Sequence, residues 1–435
     1  GLHRQPALEG VVLVFEVKGA GTVREPLEDV LEQKVDDDPF ADLRWGLITG
    51  ADPEDARRIV ETREPLVIER ALTTTGINLG LVESGLTLSD GGKGNYTIKE
   101  KGRPVVQGKW EAEAEPDGTV TMFGKAWNED RPQLLVTSSH ATQFNLEMPF
   151  GLGLIASHDG QLHVLGKGKL REFAKFLSGA MFTGDPGQLG NWLESQKLPV
   201  LEHCDEPKVW VAAGNCLIGD ARRTDDSMVV SAMSAGGVRQ FVGYVVPTWF
   251  GRAGWGTLRL WQDSRGGLSL GEAFFLNDAR LIEETRSRFP GALKVSFDAD
   301  DIETCMRTDR AFHEALGNLE KSGVTIDKDT VGLIHDRDVL AFWGDPAWDA
   351  RFDPERLPHP LRHEWKESGE ALELHLRADA DFEGDYLQCL PERFESTPRL
   401  ELPDGMGGVA ADDFVFLKKI ALKKGEQRVV VLHKP

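Results

Sequence analysis

The sequence predicts an α/β protein: a mostly parallel sheet flanked by helices, followed by a small C-terminal β-sandwich. Three observations carry this. Short, largely apolar runs bounded by turn signals recur at Leu134–Thr137 and Val209–Ala213, with a third strand-like run at Arg239–Tyr244, as a buried parallel sheet suggests. Stretches with apolar residues at helical spacing lie between and after them. Beyond about residue 352 that spacing gives way to period two.

Taken in order, Val11–Val17 (VVLVFEV) reads as a strand, and Asp36-Asp37-Asp38-Pro39 breaks it off. Trp45–Gly50 is a short strand and turn. Asp52 caps a helix with Pro53 at its first position. Leu66–Arg70 is another strand. Residues 92–124 alternate Gly-rich turns with short β-like runs, which predicts a hairpin insertion. Pro132–Thr137 is a buried strand, and Ser138-Ser139-His140-Ala141-Thr142 follows it directly. Residues 170–181 form a helix. Val209–Ala213 is the next strand and ends in Gly214-Asn215-Cys216. Residues 226–234 form a helix with Asp226 as its cap, and 239–244 a third strand. Residues 268–289 form a helix capped by Ser269, and Leu340–Trp343 a late strand. Residues 370–376, 414–422 and 428–432 are strands of the sandwich. The predicted organisation is an N-terminal β segment (1–41), a catalytic region (42–351, dividing into halves of about 42–130 and 131–351) and a β-sandwich domain (352–435).

The totals bound the function. A chain of 435 residues carries 50 Lys and Arg against 71 Asp and Glu, a net charge of −21. That balance disfavours nucleic acid, which calls for basic stripes, and anionic membrane surfaces. No apolar run approaches the ~20 residues of a membrane span. Four cysteines are too few for a disulfide scaffold, and none has the spacing of a zinc or redox motif. The chain begins at Gly1, which reads as a processed start, and export to the periplasm or medium is the expectation. The sequence leaves the oligomeric state open.

His140 and Cys216 each sit just past the carboxyl end of a predicted parallel strand, where α/β sheets bind ligands. A free thiol is mostly protonated near neutral pH. An imidazole beside it can take its proton and later protonate a leaving amine. The small residues around both groups let backbone N–H groups approach a substrate carbonyl. The N–H groups of Ala141 and Cys216 are the predicted oxyanion donors. Against this stands the commoner reading of a Cys after an apolar strand, a buried structural thiol. His158 and His163 fall in a predicted surface hairpin. His359 and His363 are flanked by prolines. Neither pair has the spacing of a zinc peptidase, and no metal site is predicted.

The stretches Leu134–Thr142 (LLVTSSHAT) and Val209–Asp220 (VWVAAGNCLIGD) resemble the two active-site loops of gingipain-like cysteine peptidases, a family of the caspase-like clan. Residues 226–228, 235–243, 269–274 and 343–346 resemble its later helices, turns and closing strand, so the likeness spans about 45–350. It implies a caspase-like sheet, an immunoglobulin-like sandwich after it, and a thiol endopeptidase acting on polypeptides through a Cys216–His140 dyad. The family places Gly after the catalytic His; here it is Ala141, which keeps the N–H and adds a methyl group. In this clan an acidic group behind the nucleophile selects Arg or Lys, which makes Asp220, Asp225 and Asp226 candidates. Trp249, Phe250 and Trp255 line a peptide groove or else pack on the neighbouring helix, and Arg252 is the group that would favour an acidic substrate instead. No cofactor is required. A structural calcium in an acidic turn is compatible, although residues 36–38 lack the spacing of a known calcium loop. Two other classes fit the same residues: a non-catalytic binding or surface protein on a peptidase-like scaffold, and a small-substrate thiol amidase or acyltransferase.

Overall fold

A computed structural model of the chain describes residues 10–14, 38–41, 44–89, 94–110, 117–149, 153–183, 187–221, 226–295, 313–314, 316–337 and 339–435. Asp36, Asp37 and Asp225, singled out above, lie outside them. Ten strands form the main sheet. In chain order they are β1 (Gly10–Val14), β2 (Arg44–Ile48), β4 (Arg70–Thr73), β5 (Ser84–Ser89), β6 (Asn95–Lys99), β7 (Val106–Lys109), β8 (Leu134–Thr137), β13 (Lys208–Ala212), β14 (Val238–Tyr244) and β15 (Leu340–Gly344). The strand β3 (Leu66–Ile68) stands apart and pairs with β16 (Ala350–Phe352). Across the sheet the order is β1-β2-β15-β14-β13-β8-β4-β5-β6-β7.

The middle of this sheet sets up the site. Strands β14, β13, β8, β4 and β5 run parallel to one another, so their carboxyl ends share one edge. β15 runs against β14 and parallel to β2, and β6 and β7 close the far side as an antiparallel hairpin. The segment predicted as an N-terminal β unit contributes β1, which pairs in parallel with β2 and is an edge of this same sheet.

Successive side chains of a strand point to opposite faces, and here both faces are covered. Leu134, Val136, Val209 and Val211 face one core with the helices Arg252–Asp263, Leu270–Arg288 and Lys328–Arg337. Leu135, Trp210 and Ala212 face a second core with Ile59, Val120, Phe123, Trp127 and the helix Met228–Ser234. This explains why LLVT and VWVA are apolar throughout rather than alternating. Two helix starts match the sequence. Asp52 and Ser269 each close a capping box.

One element departs from expectation. Residues 118–125 are helical, and a wider turn continues to Asp130. Pro116-Asp117-Gly118 signals a turn, but Val120, Phe123 and Trp127 are all buried at helical spacing, and that burial outweighs the Gly residues.

After His140 the chain forms a separate antiparallel sheet of β9 (Ala141–Thr142), β10 (Asn145–Glu147), β11 (Leu154–His158) and β12 (Gln161–Leu165). The C-terminal region is a sandwich. One sheet holds β17 (Leu361–Ser368), β18 (Ala371–Ala378), β23 (Gln427–His433) and β20 (Arg399–Glu401). The other holds β19 (Phe382–Cys389), β22 (Phe414–Leu422) and β21 (Gly407–Ala410). It has its own core, which includes Leu374, Val415, Leu417 and Leu432. The alternate residues Phe414 and Phe416 instead join the core under the helix Leu270–Arg288, and Lys418 Nζ meets Glu283 there at 2.7 Å. The sandwich is thus packed onto the main sheet's helical layer.

This interface contains a titratable weak point. The Oδ1 of Asp413 is enclosed with no hydrogen-bond partner among the described residues. Burial, aided by the Asp412 carboxylate, pushes the Asp413 carboxyl well above the usual carboxylate range. A carboxyl whose folded pKa exceeds its unfolded value stabilises the fold below ~3.9 and loses that contribution as pH rises through the folded pKa. Asp413→Asn is therefore expected to raise stability by about 1–3 kcal/mol at pH 7 and by little near pH 4. Melting curves at both values check this; an equal gain at both would refute it.

Candidate active site

β8 and β13 pair residue for residue: Leu134 with Val209, Leu135 with Trp210, Val136 with Val211 and Thr137 with Ala212. Both then leave the sheet at the same edge, one into Ser138-Ser139-His140 and the other into Ala213-Gly214-Asn215-Cys216. The loops touch. A Cβ on Gly214 would lie 2.4 Å from Ser138 Oγ and 3.2 Å from Trp255 Nε1, so a side chain there would have to displace the Ser138 hydroxyl. Asn215 is fully buried and reaches across. Its Oδ1 accepts from Thr137 Oγ1 at 2.7 Å, and its Nδ2 donates to Ser139 O at 2.9 Å and Ser139 Oγ at 3.2 Å.

His140 is exposed at its loop, and its carbonyl accepts from Glu147 N. Antiparallel pairs alternate between bonded and non-bonded. With Glu147 bonded to His140, the next pair, Ala141–Leu146, is the non-bonded one. The Ala141 N–H therefore points away from β10. The β9–β10 turn is pinned in turn, since Gln143 O accepts from Met228 N at the start of the helix Met228–Ser234.

Cys216 is a thiol, half-buried. Thr248 N–H donates to its Sγ at 3.3 Å, and Thr248 O lies 3.5 Å from the same sulfur. The loop after β14 is thus joined to Cys216. Leu217, the following residue, has φ +58°. That left-handed backbone is costly for a branched residue. It is held by Leu217 N donating to Val246 O and Gly219 N donating to Tyr244 O, while the Leu217 side chain is buried.

The aromatics divide. Trp249 is 57% exposed, with its ring 5.5 Å from the buried His335. Phe250 is 5.6 Å from the same imidazole. Trp255 turns inward onto the core and backs Gly214. Arg252 pairs with Asp329. The acidic candidates lie elsewhere. Asp220 is only 4% exposed. Asp226 does not cap the next helix, whose N-cap is Ser227. Its Oδ1 instead accepts from Asp159 N at 2.9 Å and meets His158 Nδ1 at 3.1 Å. It has been drawn to the β11–β12 hairpin because that turn presents an N–H and an imidazole together. His158 also meets Glu194 at 3.3 Å, so this histidine ties the hairpin to two neighbouring elements. Among the described residues no group of three His, Cys, Asp or Glu could hold a metal ion, and no helix is long and apolar enough to cross a membrane.

With this geometry in view, known proteins give one point of comparison. The chain is similar to the complex of the pro- and mature domains of RgpB from Porphyromonas gingivalis. The two share 10% identity over 95% of this chain and 79% of that one, with a TM-score of 0.40. No protein-family model and no curated protein matches the sequence.

Sequence reasoning missed the part played by Asn215, which it took as a small loop residue. The available signal was an amide directly before the Cys, with Thr137 and Ser139 flanking the end of the other strand.

Proposed function

We propose that the chain is a cysteine endopeptidase with Cys216 as nucleophile and His140 as its base. The observation that carries this is the residue-for-residue pairing of β8 and β13, whose carboxyl ends lead into loops bearing one imidazole and one thiol. The likeness of those loops to gingipain-like peptidases supports it, as does the Thr248 N–H on the sulfur, since such a donor suits a thiolate.

In this reading, Cys216 Sγ attacks the peptide carbonyl carbon and its proton passes to His140. The carbonyl oxygen becomes an oxyanion, held by the N–H groups of Ala141 and Cys216. As the tetrahedral intermediate collapses, the C–N bond breaks and His140 gives its proton to the leaving amine. Water, deprotonated by His140, then hydrolyses the thioester and regenerates the thiol. Exposed Trp249, with Phe250 beside it, forms an apolar wall for the substrate chain, while Trp255 supports the nucleophile loop from behind. Asp220 and Asp226 are poor candidates for a basic-residue pocket, because one is enclosed and the other is engaged with His158. Neither a cofactor nor a metal takes part in this scheme.

The test is a cleavage-site profile. A denatured whole-proteome extract is incubated under reductant with the wild type and with Cys216→Ala, and new peptide termini are sequenced by mass spectrometry. Termini seen only with the wild type are the expected result, and the residue before each cut reports specificity. Identical samples would sink the peptidase reading in favour of a binding scaffold or a small-substrate thiol amidase or acyltransferase.

A further inference from the structure

Asn215 sits in a chain of hydrogen bonds that runs from the core beneath the sheet to the loop of His140. The indole N–H of Trp210 donates to Thr137 Oγ1 at 2.9 Å. That hydroxyl donates onward to Asn215 Oδ1, and Asn215 Nδ2 donates to Ser139 O and Oγ. Ser139 Oγ donates to Glu147 O at 2.7 Å, and Glu147 N–H donates to the carbonyl of His140 itself. The orientation of the amide is forced. The indole can only donate, so the Thr137 hydrogen is left for Oδ1, and Nδ2 then faces a carbonyl that can only accept. Each donor in the chain meets an acceptor, and Trp210, Thr137 and Asn215 are all fully buried, where such networks are stiffest.

We propose that Asn215 is a positioning residue that holds the His140 loop against the Cys216 loop and so sets the register of imidazole to thiol. This rests on the peptidase reading, because it assigns a role within that dyad. Asn215 does not touch substrate in this scheme. It acts through the backbone of Ser139 on one side and its own peptide bond to Cys216 on the other. Two loops leaving adjacent strands are close by topology alone; their relative placement to within a fraction of an ångström needs a cross-link, and Asn215 is the residue that makes it with both ends of one side chain.

The experiment is the alkylation rate of Cys216 by iodoacetamide, read on its own peptide by mass spectrometry, across pH about 5 to 9. It compares the wild type, His140→Ala, Asn215→Ala and the double variant. The wild type is expected to react well below the range of an ordinary thiol, and His140→Ala to move toward it, near ~8.5. Asn215→Ala is expected to follow His140→Ala, and the double variant to move no further. Where peptide turnover is measured, Asn215→Ala should lower kcat about 10- to 100-fold with KM nearly unchanged, the signature of lost alignment. A wild-type profile in a natively melting Asn215→Ala would overturn the proposal and leave the dyad standing. Coincident profiles for the wild type and His140→Ala would overturn the dyad and the proposal with it. If Asn215→Ala does not fold, Thr137→Val deletes the donor to Oδ1 at nearly constant shape. It is expected to shift the profile in the same direction by less, and an unchanged profile there overturns the proposal.

Discussion

Removing Cys216 or His140 is expected to lower peptide turnover by the same large factor, on the order of 10⁴ or more, and removing both is expected to lower it no further. The reason is mechanical. A thiol without its imidazole partner is mostly protonated at neutral pH, and an imidazole without the thiol has no proton to move, so either deletion abolishes the same step. In the proposed scheme, what would remain is the binding and polarisation assigned to the backbone donors and the Trp249 wall. Neither residue belongs to a hydrophobic core: Cys216 is half-buried and His140 exposed. Melting temperatures should therefore barely change, which separates a chemical loss from a structural one. Rates for the single and double alanine variants on one fluorogenic peptide decide the matter. Additive losses would mean that the two residues act in different steps and would remove the dyad.

The second large effect is on stability. Asp336 is fully buried, on the helix Lys328–Arg337. Its Oδ2 accepts from the backbone of Arg252, from Ala253 N at 3.2 Å and from Tyr244 OH at 3.3 Å. Its Oδ1 meets His335 Nδ1 at 3.0 Å. The Tyr244 hydroxyl oxygen in turn accepts from Gly254 N at 2.9 Å. One carboxylate thus satisfies the first N–H groups of the helix Arg252–Asp263, where negative charge is also favoured by the helix dipole. Asp336→Ala strands these donors in the interior and is expected to cost about 3–5 kcal/mol, a fall of roughly 10 °C in melting temperature. Asp336→Asn keeps one acceptor oxygen and should lose less. Because this helix follows the Thr248–Phe250 loop, kcat/KM should fall alongside stability. An alanine variant that melts within a degree of the wild type would show that the helix start finds other acceptors.

Much of this architecture was legible in the sequence for physical reasons. LLVT and VWVA suited strands covered on both faces, and their turn-rich exits placed His140 and Cys216 at one edge. The caps at Asp52 and Ser269 were local and therefore readable. Three features depended on distant partners. The helix at residues 118–125 is fixed by burial of Val120 and Phe123 against the second core, which overrode a local turn signal. Asp226 looked like a cap because it precedes a helix, yet the hairpin around Asp159, far back in the chain, claims its carboxylate. Asn215 looked like a spacer, because the hydroxyl and carbonyl it joins belong to another strand's exit. The aromatic loop was readable as a group but not residue by residue: Trp249 faces out and Trp255 faces in, and the start of the helix at Arg252 decides which.

The antiparallel strand β15 has a consequence for how the chain assembles on the ribosome. It lies between β14 and β2, and Trp343 pairs with Leu47 across 296 positions (343 − 47). The parallel block from β5 to β14 is complete once residue 244 has emerged, and only its β14 edge waits for a strand made later. β2, synthesised earlier, has no seat in the sheet until β15 arrives a hundred residues after that block. Contacts of such long sequence separation form slowly, and an unpaired strand invites association in the interval. The first strands made are thus among the last to be locked, and truncation before residue 340 should leave the β14 edge open and the β1–β2 pair detached from the sheet.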